Sequence, residues 1–388
     1  MRAFVWCLAF LSSFAASGTA RSQDSIDQVL SEIREKYALP ALAAAVVRNG
    51  NLVAEGAVGT RLEGADIPVT VDDRFHLGSD TKAMTATLAA MLIEEGKLRW
   101  DSTIGEVLGH DLPGLKPGFA KITLEQLLSH TSGIPSDNEE ILKLYFSADA
   151  YDHGLTEWRL HLVKEWGSKH EPKFPSSGKF QYANLGYITV GAMIEKASGQ
   201  PWERLMYERI FVPLGLKTAG LGPQATFGLY DAPVGHRRDD KGKLTAFPWG
   251  EPADLPAALG PAGLAHMSIK DFATWAAWNA GEGKRGPELI KAETLKRLHT
   301  PAVEMQIKDP KPGTPKSGSY AFGWGLSKLD WTDKPILTHN GSNGMNFASV
   351  DIDVDHDLAI VVATNIAGSD ADKAALDVMK ALYTKYVK

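Results

Sequence analysis

Ser79 and Lys82 stand three residues apart in Gly78-Ser79-Asp80-Thr81-Lys82, at the head of a stretch, Thr81–Leu98, that reads as a long helix with Gly96 near its end. If the helix begins at Ser79, residues three apart share a face and bring a hydroxyl and an ammonium into contact. A hydroxyl at a helix N-terminus also sits in a positive end-field, which favours negative charge developing on its oxygen. A lysine held beside it in a poorly solvated cleft helps to activate it for nucleophilic attack. Ser-x-x-Lys is a weak signal by itself. Ser176-Ser177-Gly178-Lys179 repeats it after Pro175, where an internal glycine argues for a loop. An ordinary helix N-cap would also account for Ser79.

Tyr182-Ala183-Asn184 is the only Tyr-x-Asn in the chain and is expected in a loop before a helix over 188–197. A tyrosine titrates near ~10, so it works as a general base at neutral pH only if a cation stabilises the phenolate or if it passes a proton on in concert. Lys82 could supply that cation. Asn184 could accept from Lys82 and donate to a substrate carbonyl. A buried tyrosine and a turn asparagine are the plainer reading. A third group, His339-Asn340-Gly341-Ser342, follows the β-type run Ile336–Thr338. Gly341 would let a substrate approach a strand closely, and the Ser342 and Ser79 amides could together form an oxyanion hole. Lys316-Ser317-Gly318 competes for this role. Its neighbours Pro312, Gly313, Pro315 and Ser319 argue for a loop, and the role needs a strand edge, so His339 is preferred.

These residues must be positioned by elements at both ends of the chain. Ile26–Tyr37 has helical spacing, and Ala41–Val47 and Leu52–Val58 flank Asn49-Gly50 as a hairpin does. The middle of the chain, about 99–299, is mostly helical in pattern. Short β-type runs return at Phe322–Leu326, Ile336–Thr338, Asn346–Ile352 and Leu358–Thr364, and Ala371–Tyr386 closes the chain as an amphipathic helix. The expected fold is α+β, an α/β sandwich: an antiparallel sheet built from both ends (about 24–98 and 300–388), flanked by helices and interrupted by a helical insert.

The chain has 388 residues, 44% hydrophobic and 23% charged, with net charge −6 and one cysteine. That balance is globular. No basic run gives a footprint for nucleic acid, and one cysteine makes neither an internal disulfide nor a cysteine-based zinc site. Residues 1–20 carry Arg2, an apolar stretch Ala3–Ala16 that includes Cys7, and small residues up to Ala20. That is the layout of a secretory signal peptide. It leaves residues 21–388 as a single exported domain, periplasmic or secreted, with no membrane span. Neither His-Glu-x-x-His nor Gly-x-Ser-x-Gly occurs, which disfavours a zinc hydrolase and an α/β-hydrolase. Asp351, Asp353, Asp355 and Asp357 lack the glycine and glutamate of a calcium loop and read as exposed carboxylates on a strand and hairpin.

Ser79-x-x-Lys82, Tyr182-Ala183-Asn184 and His339-x-Gly341, in this order, resemble the serine β-lactamase-like hydrolases: class C β-lactamases, serine DD-peptidases, and their esterase and D-aminopeptidase relatives. Leu127–Ile134, Pro213-Leu214-Gly215-Leu216 and Phe322-Gly323-Trp324-Gly325 resemble the family's flanking blocks, the last as a strand entering the second half of the sheet. The resemblance spans about 25–385. It implies a β-lactamase/transpeptidase-like fold with Ser79 as nucleophile, Lys82 as the lysine that tunes it, and Tyr182 as general base and later acid. Asn184 would orient the substrate, and the Ser79 and Ser342 N–H groups would form the oxyanion hole. The reaction implied is acylation of Ser79 followed by hydrolysis, without metal or cofactor, on a small ester, amide or peptide. His339 and Asn340 stand where β-lactamases and DD-peptidases carry the lysine and threonine of Lys-Thr-Gly. A histidine only partly charged near neutral pH would recognise a β-lactam carboxylate poorly, so a carboxyester or D-residue amide is favoured. The alternatives are a true class C-type β-lactamase or DD-peptidase, and a non-catalytic peptidoglycan-fragment binder. Ser176-Ser177 also replaces a Pro-Gly expected before Tyr182.

Overall fold

The structure is a computed structural model that describes residues 24–147, 154–173, 178–250, 253–306 and 317–388. The proposed signal segment, Ser176-Ser177 and Lys316 lie outside the described residues.

The first strands are β1 (Asp24–Ser25), β2 (Ala41–Arg48) and β3 (Asn51–Gly59). Asn49 (φ +51°) and Gly50 (φ +73°) make the turn between β2 and β3. Positive φ at both positions matches the turn to the right-handed twist of the strands, which is why Asn-Gly is favoured there. After β4 (Arg74–Gly78), the middle of the chain adds β5 (Gly220–Leu221), β6 (Gly235–Arg238), β7 (Leu244–Phe247) and β8 (Ala265–Ser268). The last strands are β9 (Val303–Gln306), β10 (Ser317–Tyr320), β11 (Gly325–Ser327), β12 (Ile336–Ser342), β13 (Phe347–Asp353) and β14 (Leu358–Thr364). Among the described residues, nine strands form one sheet in the order β1-β3-β2-β14-β13-β12-β11-β10-β9. Its neighbours are antiparallel except for the short parallel pair β1 and β3. The join between the two ends of the chain is β2 against β14, with Val46 opposite Ile360.

Both faces of this join are covered, which is why β2 and β14 are apolar throughout rather than alternating. Leu42, Ala44 and Val46 face one core together with Ile360, Val362 and the helices Asp27–Lys36 and Ser369–Tyr386. Ala41, Ala43, Ala45 and Val361 face the other core, where the helix Ile269–Ala280 packs against β2 and β14. That helix falls in the stretch read from sequence as helical insert, yet it lies on the sheet. β4 pairs with β8 and packs against β12 and β13, so it reaches the sheet from the helical side.

Several local expectations are corrected. The second helix begins at Thr81 as expected but ends at Glu94, short of Leu98. The helix expected over 188–197 begins at Asn184, so Asn184 is its first residue rather than part of a loop. Ser317 and Gly318, expected in a loop, lie in β10, paired with both β9 and β11. Phe322–Trp324, expected as strand, is the bend between β10 and β11. Gly323 sits there at φ +82°, where an added Cβ would lie 2.6 Å from the Ala83 Cα. His339 lies within β12 rather than after its end. Asp351 and Asp353, expected to be exposed, are buried on β13.

Candidate active site

Ser79 is placed by a close contact between two backbones. Gly78, at φ +51°, ends β4, and an added Cβ there would meet the Ser342 nitrogen at 2.2 Å. Across from it, a Cβ on Gly341 would lie 1.8 Å from the Leu77 carbonyl oxygen and 2.7 Å from the Ser79 nitrogen. Glycine at both positions lets β12 lie flush against the Leu77–Ser79 segment. The Ser79 and Ser342 amides therefore flank the same junction. Among the described residues, no main-chain acceptor takes the Ser79 N–H.

A tight turn at Ser79–Asp80 leads into the helix, with Lys82 N–H donating to the Ser79 carbonyl at 3.0 Å. The Thr81 hydroxyl donates to the Gly78 carbonyl at 2.7 Å and accepts from Ala265 N–H at 3.0 Å, which pins the turn to β8. The contact between Ser79 and Lys82 is thus made although Ser79 lies in the turn before the helix. Lys82 is fully buried. Its Nζ donates to Ser79 Oγ at 3.0 Å, to Asn184 Oδ1 at 2.7 Å and to the Ala262 carbonyl at 2.6 Å. All three partners are uncharged oxygens. Burial pulls the Lys82 pKa down to about 7, against the opposing pull of the Asp137 and Asp80 carboxylates. Near neutral pH a large fraction is then the free amine, whose lone pair can take a proton from Ser79.

Tyr182 is hydrogen-bonded to Ser79, but burial pushes its phenol well above the usual tyrosine value, and the Ser79 contact only partly offsets this. Lys82 Nζ lies over the Tyr182 ring, 4.7 Å from its centroid. Tyr182, its pKa raised by burial, therefore rests as the protonated phenol near neutral pH. Its backbone is fixed by His130, a residue that sequence reasoning left unassigned. The His130 carbonyl accepts from Gln181 N–H at 2.7 Å, its Nδ1 accepts from Ala183 N–H at 3.2 Å, and its ring packs on the Tyr182 ring at 4.3 Å. Ser136 Oγ also donates to the Tyr182 carbonyl at 2.6 Å.

The orientation of Asn184 follows from its partners. Oδ1 accepts from Lys82, and Nδ2 donates to Asp137 Oδ2 at 2.7 Å, leaving one amide hydrogen for a substrate. The Tyr145 hydroxyl donates to Asp137 Oδ1 at 3.1 Å, so an exposed carboxylate is anchored beside the pocket.

His339 differs from expectation. Its Nδ1 lies 3.0 Å from the Asn340 carbonyl, so Nδ1–H donates there, and Nε2 accepts from the Tyr320 hydroxyl at 3.1 Å. Burial, reinforced by Lys82, lowers its pKa to about 3. The imidazole is neutral, not partly charged, and it points into the protein. Asp80 Oδ1 lies 3.3 Å from Nδ1. Burial raises the Asp80 pKa well above the carboxylate range; Lys82 opposes the shift and Asp351 adds to it. Gly341 alternates with Asn340 and Ser342 along β12, so the Asn340 and Ser342 side chains are exposed while His339 is buried. Ser317-Gly318 lies on β10, two strands away from β12. Among the described residues, no cluster of three or more histidine, cysteine, aspartate or glutamate side chains could hold a metal ion.

Sequence reasoning also missed His76, Asp254 and Asn343, which line the back of the Gly78–Ser342 junction. They are far apart in the chain and belong to no motif, so no local signal announces them.

A Ser-Tyr-Asn cluster around a buried lysine, at the junction of a helical region and an antiparallel sheet, defines a serine hydrolase of the β-lactamase and penicillin-binding protein type. The chain belongs to the Beta-lactamase family, whose profile matches residues 26–384. A protein named Penicillin-binding protein 4 from Amycolatopsis lactamdurans is 29% identical over 331 residues, covering 81% of this chain and 78% of that relative. An unguisins hydrolase from Aspergillus campestris is 26% identical over 339 residues, covering 84% of this chain; the chain spans only 59% of that relative's length. Among solved structures, a penicillin-binding protein homologue from Pyrococcus abyssi superimposes with TM-score 0.73 at 22% identity, over 92% of this chain and 76% of that one. A D-stereospecific amidohydrolase from Streptomyces sp. superimposes with TM-score 0.70 at 23% identity, over 92% of this chain and 98% of that one. These structural likenesses concern the fold.

Proposed function

We propose that this chain cleaves an ester or amide through an acyl-enzyme on Ser79, and that it acts on a carboxyester or a D-residue amide or peptide in preference to a β-lactam. The observation that carries the reading is the Lys82 amine, 3.0 Å from Ser79 Oγ and titrating at about 7. In the first step neutral Lys82 takes the Ser79 hydroxyl proton, directly or through the Tyr182 hydroxyl, as Ser79 Oγ bonds to the substrate carbonyl carbon. The Ser79 and Ser342 N–H groups hold the oxyanion. Lys82 then returns the proton through Tyr182 to the departing alkoxide or amine, leaving acyl-Ser79. Water repeats the sequence: its proton goes to the same pair, and the acid is released from Ser79.

The substrate preference rests on charge. His339 is neutral where a substrate carboxylate would need a cation, and the Asp137 carboxylate is held against the Asn184 amide, beside Lys82. A carboxylate-bearing β-lactam meets a poorer match than an uncharged or amine-bearing carbonyl substrate. The names of two similar proteins, a hydrolase and a D-stereospecific amidohydrolase, accord with amide cleavage. The layout of residues 1–20 supports export with cleavage near Ala20, and no helix of the described residues is long and apolar enough to cross a membrane.

The test is turnover of p-nitrophenyl acetate, D-alanine p-nitroanilide and nitrocefin by the wild type and Ser79→Ala. The first or second should be turned over best and all activity lost in the variant. Efficient nitrocefin hydrolysis would reverse the substrate order, and full activity without Ser79 would end the reading.

A further inference from the structure

The two amides proposed to hold the oxyanion come from segments more than 250 residues apart in sequence, Ser79 after β4 and Ser342 at the end of β12. A fixed separation between them must be built by something other than chain continuity. Behind their junction runs one continuous buried hydrogen-bond chain. Gly78 N–H, on the residue preceding Ser79, donates to His76 Nδ1 at 3.0 Å. That contact makes Nδ1 the acceptor, so Nε2 carries the proton and donates to Asp254 Oδ2 at 3.0 Å. Asp254 Oδ1 accepts from Asn343 Nδ2, on the residue following Ser342, at 3.0 Å, and from Leu255 N–H at 2.8 Å. Asn343 Oδ1 then gathers the loop beyond β12, accepting from Met345 N–H at 3.2 Å, Asn346 N–H at 3.0 Å and Asn346 Nδ2 at 3.1 Å. Gln224 Nε2 closes the far end on Asn346 Oδ1 at 2.8 Å.

His76 and Asn346 are fully buried, and Asp254 and Asn343 nearly so. Every ring nitrogen of His76 and both oxygens of Asp254 are used, so the chain has one arrangement of donors and acceptors. Satisfied buried networks of this kind rigidify what they connect, and oxyanion stabilisation depends on donors held in place before the reaction begins.

We propose that His76, Asp254 and Asn343 are positioning residues that set the spacing between the Ser79 and Ser342 amides and so tune transition-state binding. None of the three is assigned contact with the substrate. The proposal rests on the acyl-enzyme reading above, in which those amides bind the oxyanion.

The experiment measures kcat and KM for p-nitrophenyl acetate per active site, counted by titration with a serine-reactive phosphonate so that only folded, competent protein is scored. The variants are Asp254→Asn, which keeps shape but breaks the acceptor pattern, Asn343→Ala, the double variant and Ser79→Ala. The expected result is a loss of kcat of about 10- to 100-fold in each single variant, with KM within about 3-fold. The double variant should lose little more than the worse single one, because a chain broken once transmits nothing further. Affinity for phenylboronic acid, whose tetrahedral adduct on Ser79 fills the same hole, should fall in step with kcat. An unchanged kcat per titrated site in both single variants, with Ser79→Ala inactive, would overturn the positioning role alone. Fully additive losses in the double variant would also overturn it. Activity surviving in Ser79→Ala would instead overturn the reading on which it rests.

Discussion

Among the described residues, two cations are fully buried, Arg159 and Lys82, and they are treated in opposite ways. Arg159 lies in the helical region with carboxylates around it: it pairs with Glu195 and with Glu203, and its Nε donates to the Ala258 carbonyl at 3.2 Å. Glu195 is held in turn by Thr156 Oγ1 at 2.9 Å and Trp202 N–H at 3.0 Å. Among the described residues, Lys82 has no carboxylate as a hydrogen-bond partner, only the oxygens of Ser79, Asn184 and Ala262. Charge met by opposite charge makes a fixed structural joint. Charge hydrogen-bonded only to neutral dipoles is held in balance, and its pKa near 7 follows from burial that the more distant Asp137 and Asp80 carboxylates offset only in part.

The difference is tested most strongly by removing each cation. Lys82→Met should lower kcat on p-nitrophenyl acetate by about 1,000-fold or more, with far-UV circular dichroism unchanged. Tyr182→Phe should lower it by about 100-fold, because the relay is lost while the amine remains; an equal loss in the two variants would merge their roles. Arg159→Met should behave in the opposite sense. Stability in urea should fall by about 3–5 kcal/mol because Glu195 is left buried without its partner, while kcat per titrated site stays near the wild-type value.

A smaller effect sharpens the same contrast through pH. Lys82 titrates near 7 when folded and near ~10.4 when unfolded. Between those values the unfolded chain binds more protons, so this group makes the folded state gain stability as pH rises from about 7 towards 10, with the penalty fully present below about 7. The total is on the order of 5 kcal/mol. The difference in unfolding free energy between the wild type and Lys82→Met, followed from pH 7 to pH 10, should change in that direction. A pH-independent difference would mean that Lys82 is not depressed in the folded protein.

What could be read from the sequence was local. The contact between Ser79 and Lys82 needs only a three-residue spacing, and the β2–β3 hairpin needs only Asn49-Gly50 between two apolar runs. A sheet built from both ends of the chain was legible because both ends carry short apolar runs at hairpin spacing, while the pairing of β2 with β14 was not. Readings that depended on surroundings failed. His339 carries no mark in its own sequence of the burial that keeps it neutral, although its alternation with exposed Asn340 hints that it points inward. Ser317-Gly318 reads as loop because Pro312, Gly313 and Pro315 precede it, yet it lies in β10, between β9 and β11. The family resemblance implies Tyr182 as base, and nothing in its own sequence shows the burial that raises its pKa. The His76–Asp254–Asn343 chain joins residues from three distant segments and could not be found without the fold.

The central claim is that the buried amine of Lys82 is the base that deprotonates Ser79. Its most direct test is the pH dependence of kcat/KM for p-nitrophenyl acetate, measured in the wild type and Tyr182→Phe, with the rate of phosphonate labelling of Ser79 followed in Lys82→Met. The account predicts an activity that falls as pH drops below about 7 in the wild type, persists with the same midpoint at lower amplitude in Tyr182→Phe, and has no counterpart in the labelling of Lys82→Met. A midpoint near 7 that survives in Lys82→Met, or disappears in Tyr182→Phe, would contradict it.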